Sequence, residues 1–353
     1  MEAGSVPIGR GPMLKVGLLP SWATYGVIAG AALMSAAVLA AFGAFSVALT
    51  LVFTVLVSLV VVYAWARAVE GRRRAADRTM SLLIVSAFGL ALIPLLSLMF
   101  EVLKRGLPGL DIEFLTTSAR GFVGGGGAAH ALVGTLVITG VAVAISVPIG
   151  IMAAIYLTEY GGTSRLRRAL TFFVDVMTGI PSIVAGLFAY ALFAIFFGPG
   201  IRMGVMGSVA LSVLMIPIVI RTSEEVLKIV PNHLREASYA LGAPKWRTVV
   251  KVVLPTAFAG LITGVMIATA RIIGETAPLL VTTGVIDSIN ANPFQGRMQN
   301  LAVYAYSEYR TPGVMKQASY DRAWAAALLL ILIVMVLNLV ARLIYSRYKP
   351  ETR

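Results

Sequence analysis

The chain has 353 residues, of which 58% are hydrophobic and 13% charged, with a formal net charge of +13 and no cysteine. Soluble domains carry about 25% charged residues, so a water-soluble fold is excluded, and disulfide frameworks and cysteine metal sites are excluded with it. The positive balance alone would suit a nucleic-acid partner, but the distribution of the cations along the chain removes that need.

Eight apolar runs approach or exceed the roughly 20 residues needed to span a bilayer: 22–42, 45–66, 80–103, 131–157, 170–197, 203–220, 255–283 and 323–345. The expected fold class is therefore all-α, a polytopic transmembrane helical bundle. The first run lacks the short apolar core of a cleaved signal peptide and a second span follows almost at once, so it is expected to be retained. The segment "VEGRRRAADR" (69–78) reads as a basic cytoplasmic linker. It sets an N-terminal helix pair, residues 1–78, apart from a six-span body at 79–347. The stretch "GLPGLDIEFLTTSARGFVGGGGAAH" reads as a loop, flexible around its glycine run. The stretch 285–322 is too long for a simple turn, and its piece "MQNLAVYAYSEY" has enough helical character to lie on or dip into the membrane. With both termini inside, 20 of the 29 Lys and Arg fall in cytoplasmic segments, 8 fall outside and Arg271 lies within a span. That asymmetry orients the chain and accounts for the net charge through anionic lipid, with no nucleic acid.

Several chemistries are missing. No GxxxxGK[ST] occurs, so the chain has no phosphate-binding ATPase loop of its own. His130 and His233 are the two histidines. They are far apart and expected on opposite sides of the membrane, so no histidine metal centre is expected and each reads as interfacial or surface. Ser182 in "GIPSIV" lacks the GxSxG turn of a serine hydrolase. "GGGGAAH" follows no strand and reads as a linker, not a phosphate cradle. No catalytic constellation and no cofactor site emerges.

One polar stretch stands between two apolar runs: "SEEVLKIVPNHLREASYALGAPKWRTVVKVVLP". Pro231 ends or restarts a helix. Residues 233–241 then make about two turns, with Leu234, Ala237 and Leu241 on one small apolar face. Gly242 suits the left-handed residue after a helix, and Pro244 suits the first turn of the next. The expectation is a short helix across the cytoplasmic surface, between two sharp turns. The order Glu236-Ala237-Ser238, Gly242, then Val252-x-Leu254-Pro255 resembles the EAA loop of ABC-importer permeases, EAAxxxGx(9)IxLP. Further phrases, "YLTEYGG", "GIPSIVAGLFAY" and "ARIIGETAPLL" among them, resemble the phosphate-specific PstA permeases from about residue 80 onward. The sister PstC permeases share several of them. The resemblance does not extend to the first two spans.

The resemblance implies a type I, MetI-like permease core in a bacterial plasma (inner) membrane, with a coupling loop at about 222–255. It implies that Glu236, Ala237, Leu241, Gly242 and Pro255 serve docking to a separate PstB-like ATPase dimer. It also implies a PstC-like sister permease and an extracytoplasmic PstS-like phosphate-binding protein. An ABC permease for another solute and a stand-alone ion-coupled transporter remain open, since the EAA loop carries no substrate information.

Arg271 and Glu275 stand four residues apart in the seventh run. A charge at that depth costs a few kcal/mol on insertion scales, so it must face protein or water. At 3.6 residues per turn both share a stripe with Gly260, Gly264, Ala268 and Pro278. Pro278 is expected to kink the helix and release the Gly274 carbonyl, and Pro181 to kink the fifth run. Two readings are open: an i,i+4 ion pair, or Arg271 on the phosphate path with Glu275 positioning it. Asp175, near the cytoplasmic end of the fifth run, reads as a structural partner at the membrane edge, pairing with a loop arginine, with a gating role as the alternative.

Overall fold

The computed structural model describes residues 18–20, 22–119 and 126–348. No strand occurs among them. Two compact units divide at Met99, Met1–Met99 and Phe100–Arg353, and each is taken by itself. The expected cytoplasmic positions Arg10, Lys15, Lys349 and Arg353 lie outside the described residues, as does Arg120.

The first unit holds α1 (Trp22–Ala41), α2 (Val47–Glu70) and most of α3 (Arg72–Gly106). Its helix contact uses small residues, which let backbones approach. Ala23, Ala31 and Ser35 of α1 are buried, as are Thr54, Ser58, Val62, Ala66 and Glu70 of α2, one every fourth position. The other faces expose large apolar side chains such as Leu33, Phe53 and Leu56. At the base Glu70 Oε1 accepts from Arg78 Nη2 at 2.8 Å and from the Leu19 N–H at 2.7 Å, and Glu70 Oε2 lies 2.7 Å from Arg78 Nε as an ion pair. Arg78 Nη2 also reaches the Leu19 carbonyl at 2.9 Å. The basic stretch read as a linker is helical: only Gly71 separates α2 from α3, and the expected boundary at 78/79 falls inside α3.

The second unit continues with α4 (Ile112–Thr116), α5 (Ala129–Ile155), a π-helical turn at Tyr156–Tyr160, α6 (Arg165–Thr178), α7 (Ser182–Phe197) and α8 (Gly204–Ile229). Then come α9 (Asn232–Ala240), α10 (Lys245–Thr248), a second π turn at Val249–Val253, α11 (Leu254–Ile273), α12 (Ala277–Thr282), α13 (Leu301–Arg310) and α14 (Lys316–Tyr348). α4 lies in the stretch read as loop; Asp111 caps it, accepting from the Phe114 N–H at 2.6 Å. The central core joins Ile138 and Ala142 of α5 to Leu211, Met215 and Val219 of α8, and to Ala268 and Ile272 of α11. Two serines lock α8 to α5: Ser208 Oγ donates to the Ile138 carbonyl at 3.0 Å and Ser212 Oγ to the Ala142 carbonyl at 3.4 Å. α13 is the helix foreseen in "MQNLAVYAYSEY". It is docked in the core through Leu301, Val303 and Tyr304.

Seven helices among the described residues are long and apolar enough to cross a membrane, or eight if α6 and α7 together make one span. The breaks at Pro181 and Pro278 are larger than the kinks expected there. The run 170–197 bends by 109° between α6 and α7. Pro181 starts α7 from extended backbone (φ −60, ψ 138). The run 255–283 is also interrupted, between Ile273 and Ala277.

His130 is buried at 2% exposure, not interfacial. Its ring meets Tyr304 edge-on at 5.3 Å, which ties the start of α5 to α13. Burial pushes the Tyr304 hydroxyl well above the ordinary tyrosine range, so it stays a neutral packing partner. His233 is exposed.

Candidate functional site

Two places collect the residues singled out in the sequence: the polar stretch after α8, and the breaks in α6–α7 and α11–α12.

Pro231 precedes α9 in extended backbone (φ −62, ψ 138), and Leu241 comes directly after it. The Gly242 N–H donates to the Tyr239 carbonyl at 2.9 Å and the Ala243 N–H to the Ser238 carbonyl at 3.2 Å. That crossed pair is a Schellman end, and it needs a left-handed residue. Gly242 supplies it with φ +74. Pro244 then opens α10, which runs through the π turn into α11, and Pro255 sits exposed in the first turn of α11.

The apolar face expected of Leu234, Ala237 and Leu241 is divided. Leu234 packs inward with Leu227, Val230 and Val253. Ala237 is exposed, and Leu241 is 88% exposed. The physical reason is the short helix: two turns carry one anchor toward the bundle, and the residues beyond that anchor overhang. Glu236, Tyr239 and Trp246 of the same hairpin are exposed too, so its outer residues offer large apolar side chains together with one acid, Glu236, and two cations, Lys245 and Arg247.

Sequence reasoning missed the contacts that hold this hairpin. Arg235 Nε and Nη2 both donate to Glu159 Oε1, at 3.1 and 2.8 Å. Arg235 also donates to the Val230 carbonyl at 2.6 Å, the Leu227 carbonyl at 3.0 Å and Asn232 Oδ1 at 3.2 Å. The two side chains are 14% and 6% exposed. Lys245 Nζ lies 5.1 Å from the centre of the Tyr160 ring, and Ser238 Oγ meets Thr248 Oγ1 at 2.9 Å. The hairpin is thus bolted to the π turn that ends α5. The one available signal was Glu159 itself, an acid closing an apolar run in "YLTEYGG".

At the second place α11 stops at Ile273, and the Glu275 N–H turns back to the Ile272 carbonyl at 3.1 Å. Asn300 Nδ2 reaches the Glu275 carbonyl at 3.5 Å. Pro278 lies in the first turn of α12, where its missing N–H is not needed. The expected kink is therefore a full break. The i,i+4 pair that a continuous helix would form does not exist: among the described residues no ion pair joins Arg271 to Glu275. Instead both line one cavity of about 310 Å³, with Thr178, Pro181 and Ser182 from the other break and Pro217 of α8. Arg271 is exposed and Glu275 half-buried, so the guanidinium is open to whatever enters.

Asp175 pairs with Arg221, which also meets Glu224 Oε2 at 2.9 Å; Lys228 Nζ holds Glu224 Oε1 at 2.7 Å. The foreseen arginine partner belongs to α8.

Comparison with known proteins gives a consistent picture. The family described as binding-protein-dependent transport system inner membrane component matches residues 146–353. "Phosphate transport system permease protein PstA 1" of Mycobacterium tuberculosis (strain CDC 1551 / Oshkosh) is 44% identical over 277 residues, covering 77% of this chain and 90% of that one. The PstA permease of Yersinia pestis is 37% identical over 282 residues, covering 78% and 92%. A solved bacterial alginate ABC transporter, in complex with an alginate pentasaccharide-bound periplasmic protein, superposes with a TM-score of 0.57 at 14% identity. The overlap covers 78% of this chain and 96% of that chain, which is a likeness of fold.

Proposed function

Because the chain belongs to the family of inner-membrane components of binding-protein-dependent transport systems, we infer that it is the permease subunit of an ABC importer for inorganic phosphate. It is a multi-pass membrane protein, and with no ATPase loop of its own it takes its energy from a separate subunit. The observation that carries the phosphate reading is the cavity at the paired helix breaks. It is lined by a guanidinium that has no ion pair among the described residues, beside relatives named for phosphate transport.

A guanidinium binds a tetrahedral oxyanion through two parallel N–H contacts. In this reading Arg271 receives phosphate, and Glu275 opposite it keeps the anion from resting there too tightly, since a like charge weakens binding. Helix breaks are the usual place for such sites, because unwound backbone is tolerated only where it lines a cavity. The exposed ridge of Tyr239, Leu241 and Trp246 is covered by the ATPase subunit, of the PstB kind. The Arg235–Glu159 bolt carries its movement into α5, while α10 and α11, one continuous rod, carry it to the break. A PstC-like sister permease completes the path, a PstS-like binding protein delivers phosphate from outside, and both termini are cytoplasmic.

The test is purification of the tagged chain from its native membrane, then phosphate uptake in vesicles made from the purified complex. An ATPase and a second permease should co-purify in fixed ratio, and ATP should drive labelled phosphate uptake that unlabelled sulfate does not dilute. Uptake by this chain alone, driven by an ion gradient, would refute the reading.

A further inference from the structure

Two arginines outside the transport cavity meet at Gly284. Backbone hydrogen bonds bring distant segments to this point. The Met203 N–H donates to the Thr282 carbonyl at 3.3 Å, and the Met298 N–H donates to the Thr283 carbonyl, also at 3.3 Å. Met203 and Met298 are both buried, so each segment is anchored. The residues just before those anchors are Arg202 and Arg297. Both side chains fold over the glycine. A Cβ at position 284 would lie 2.9 Å from Arg202 Cδ, 3.2 Å from Arg202 Nη1 and 3.3 Å from Arg297 Cδ. Glycine is required twice here, for φ +75 and for the space the arginines occupy.

Neither guanidinium enters an ion pair or a side-chain hydrogen bond among the described residues. By contrast, Arg105 pairs with Glu101 and Arg322 with Glu308. Asp287, three residues beyond Gly284, is exposed and pairs with neither. Arg202 is half-buried and Arg297 exposed. Two cations held over one residue repel, and the half-buried one has also lost part of its hydration. A dianion seated between them removes both costs, and two planar forks can each make a two-point contact to a tetrahedral oxyanion. The location fits transport. Gly284 ends the segment that begins at the Glu275 break, and α12 between them has six residues, about 9 Å of helix.

We propose that Arg202 and Arg297, set around Gly284, form an entry site for inorganic phosphate at the outer end of α12, which the anion occupies before it reaches Arg271. This rests on the phosphate reading and on the cytoplasmic placement of both termini.

The assay is protection of arginines from phenylglyoxal, mapped by peptide mass spectrometry on the assembled transporter in phosphatidylcholine nanodiscs. Inorganic phosphate should protect Arg202 and Arg297 together. Arg297→Gln, at an exposed position whose side chain makes no hydrogen bond or ion pair among the described residues, should abolish protection of Arg202. It should also raise the KM for phosphate uptake roughly tenfold, the loss of one charge-assisted contact, with kcat little changed. Arg297→Lys should recover part of that loss. No protection by phosphate or sulfate, in a preparation that still imports phosphate, overturns the entry site and leaves the function standing. Protection by sulfate alone overturns the phosphate assignment at both places. Protection that requires phosphatidylglycerol in the nanodisc, or added binding protein without phosphate, assigns the arginines to a lipid headgroup or to an acidic partner surface and overturns the proposal.

Discussion

Arg235 and Glu159 offer the sharpest perturbation, because their contact crosses 76 residues and joins the hairpin proposed to couple to the ATPase to the end of α5. Arg235→Leu would leave the Glu159 carboxylate, 6% exposed, without its cation. It would also strip donors from the Leu227 and Val230 carbonyls. Removing one partner of a buried pair costs about 3–5 kcal/mol, which is large beside the roughly 5–15 kcal/mol that holds a typical domain. The cost falls locally, since α5 and α8 keep their own packing. Amide exchange at Tyr156–Tyr160 and in α9 should therefore accelerate by roughly a hundredfold to a few thousandfold, given tenfold for each 1.4 kcal/mol.

The double change Arg235→Leu with Glu159→Leu separates stability from coupling. Replacing both members of a buried pair with apolar residues is often neutral for stability, so most of the slow exchange should return, short of what the Leu227 and Val230 carbonyls lose. The directional contact does not return. Phosphate moved per ATP hydrolysed should stay low in the double variant, with hydrolysis itself preserved. The assay is parallel measurement of exchange, ATP hydrolysis and phosphate uptake on the reconstituted complex. Full coupling in the double variant would refute the idea that this pair transmits movement. Unchanged exchange in the single variant would refute its being a brace at all.

Gly242→Val forces a branched side chain into φ +74, a strain of about 1–2 kcal/mol; the chain should insert normally but lose ATPase attachment on pull-down and lose uptake with it. Arg271→Lys should transport poorly in labelled-phosphate uptake, because an ammonium cannot make the planar two-point contact. Exchanging the two charges, Arg271→Glu with Glu275→Arg, should leave assembly intact by size exclusion and abolish uptake; recovered uptake would show that only the presence of both charges matters. Deleting residues up to Gly71, with insertion checked by accessibility labelling, should leave a chain that assembles and transports; an assembled but inactive truncation would place the first two helices in the mechanism.

The spans and the surface helix were readable because their signals are local. Twenty apolar residues in a row, or Pro231 and Gly242 on either side of two helical turns, depend on nothing distant. The breaks were half readable. Pro181 and Pro278 each mark a place where a helix cannot continue unchanged, but proline suits a mid-helix kink and a first turn alike. At 274–276 the break has a tertiary contact that the local sequence does not contain: Asn300, 25 residues away, reaches the Glu275 carbonyl that a continuous helix would have used internally. That choice reverses the meaning of the charges. On an unbroken helix Arg271 and Glu275 are neighbours one turn apart and satisfy each other. Across a break they face a shared space, and the guanidinium is left for a third party. The sequence pattern is identical in both cases, so the spacing of four left both readings open, while the geometry removes the ion pair and gives the two side chains one cavity. Arg235 with Glu159, and Arg202 with Arg297, were beyond reach for the same reason. No periodicity encodes a contact between segments whose meeting is decided by how the whole bundle packs.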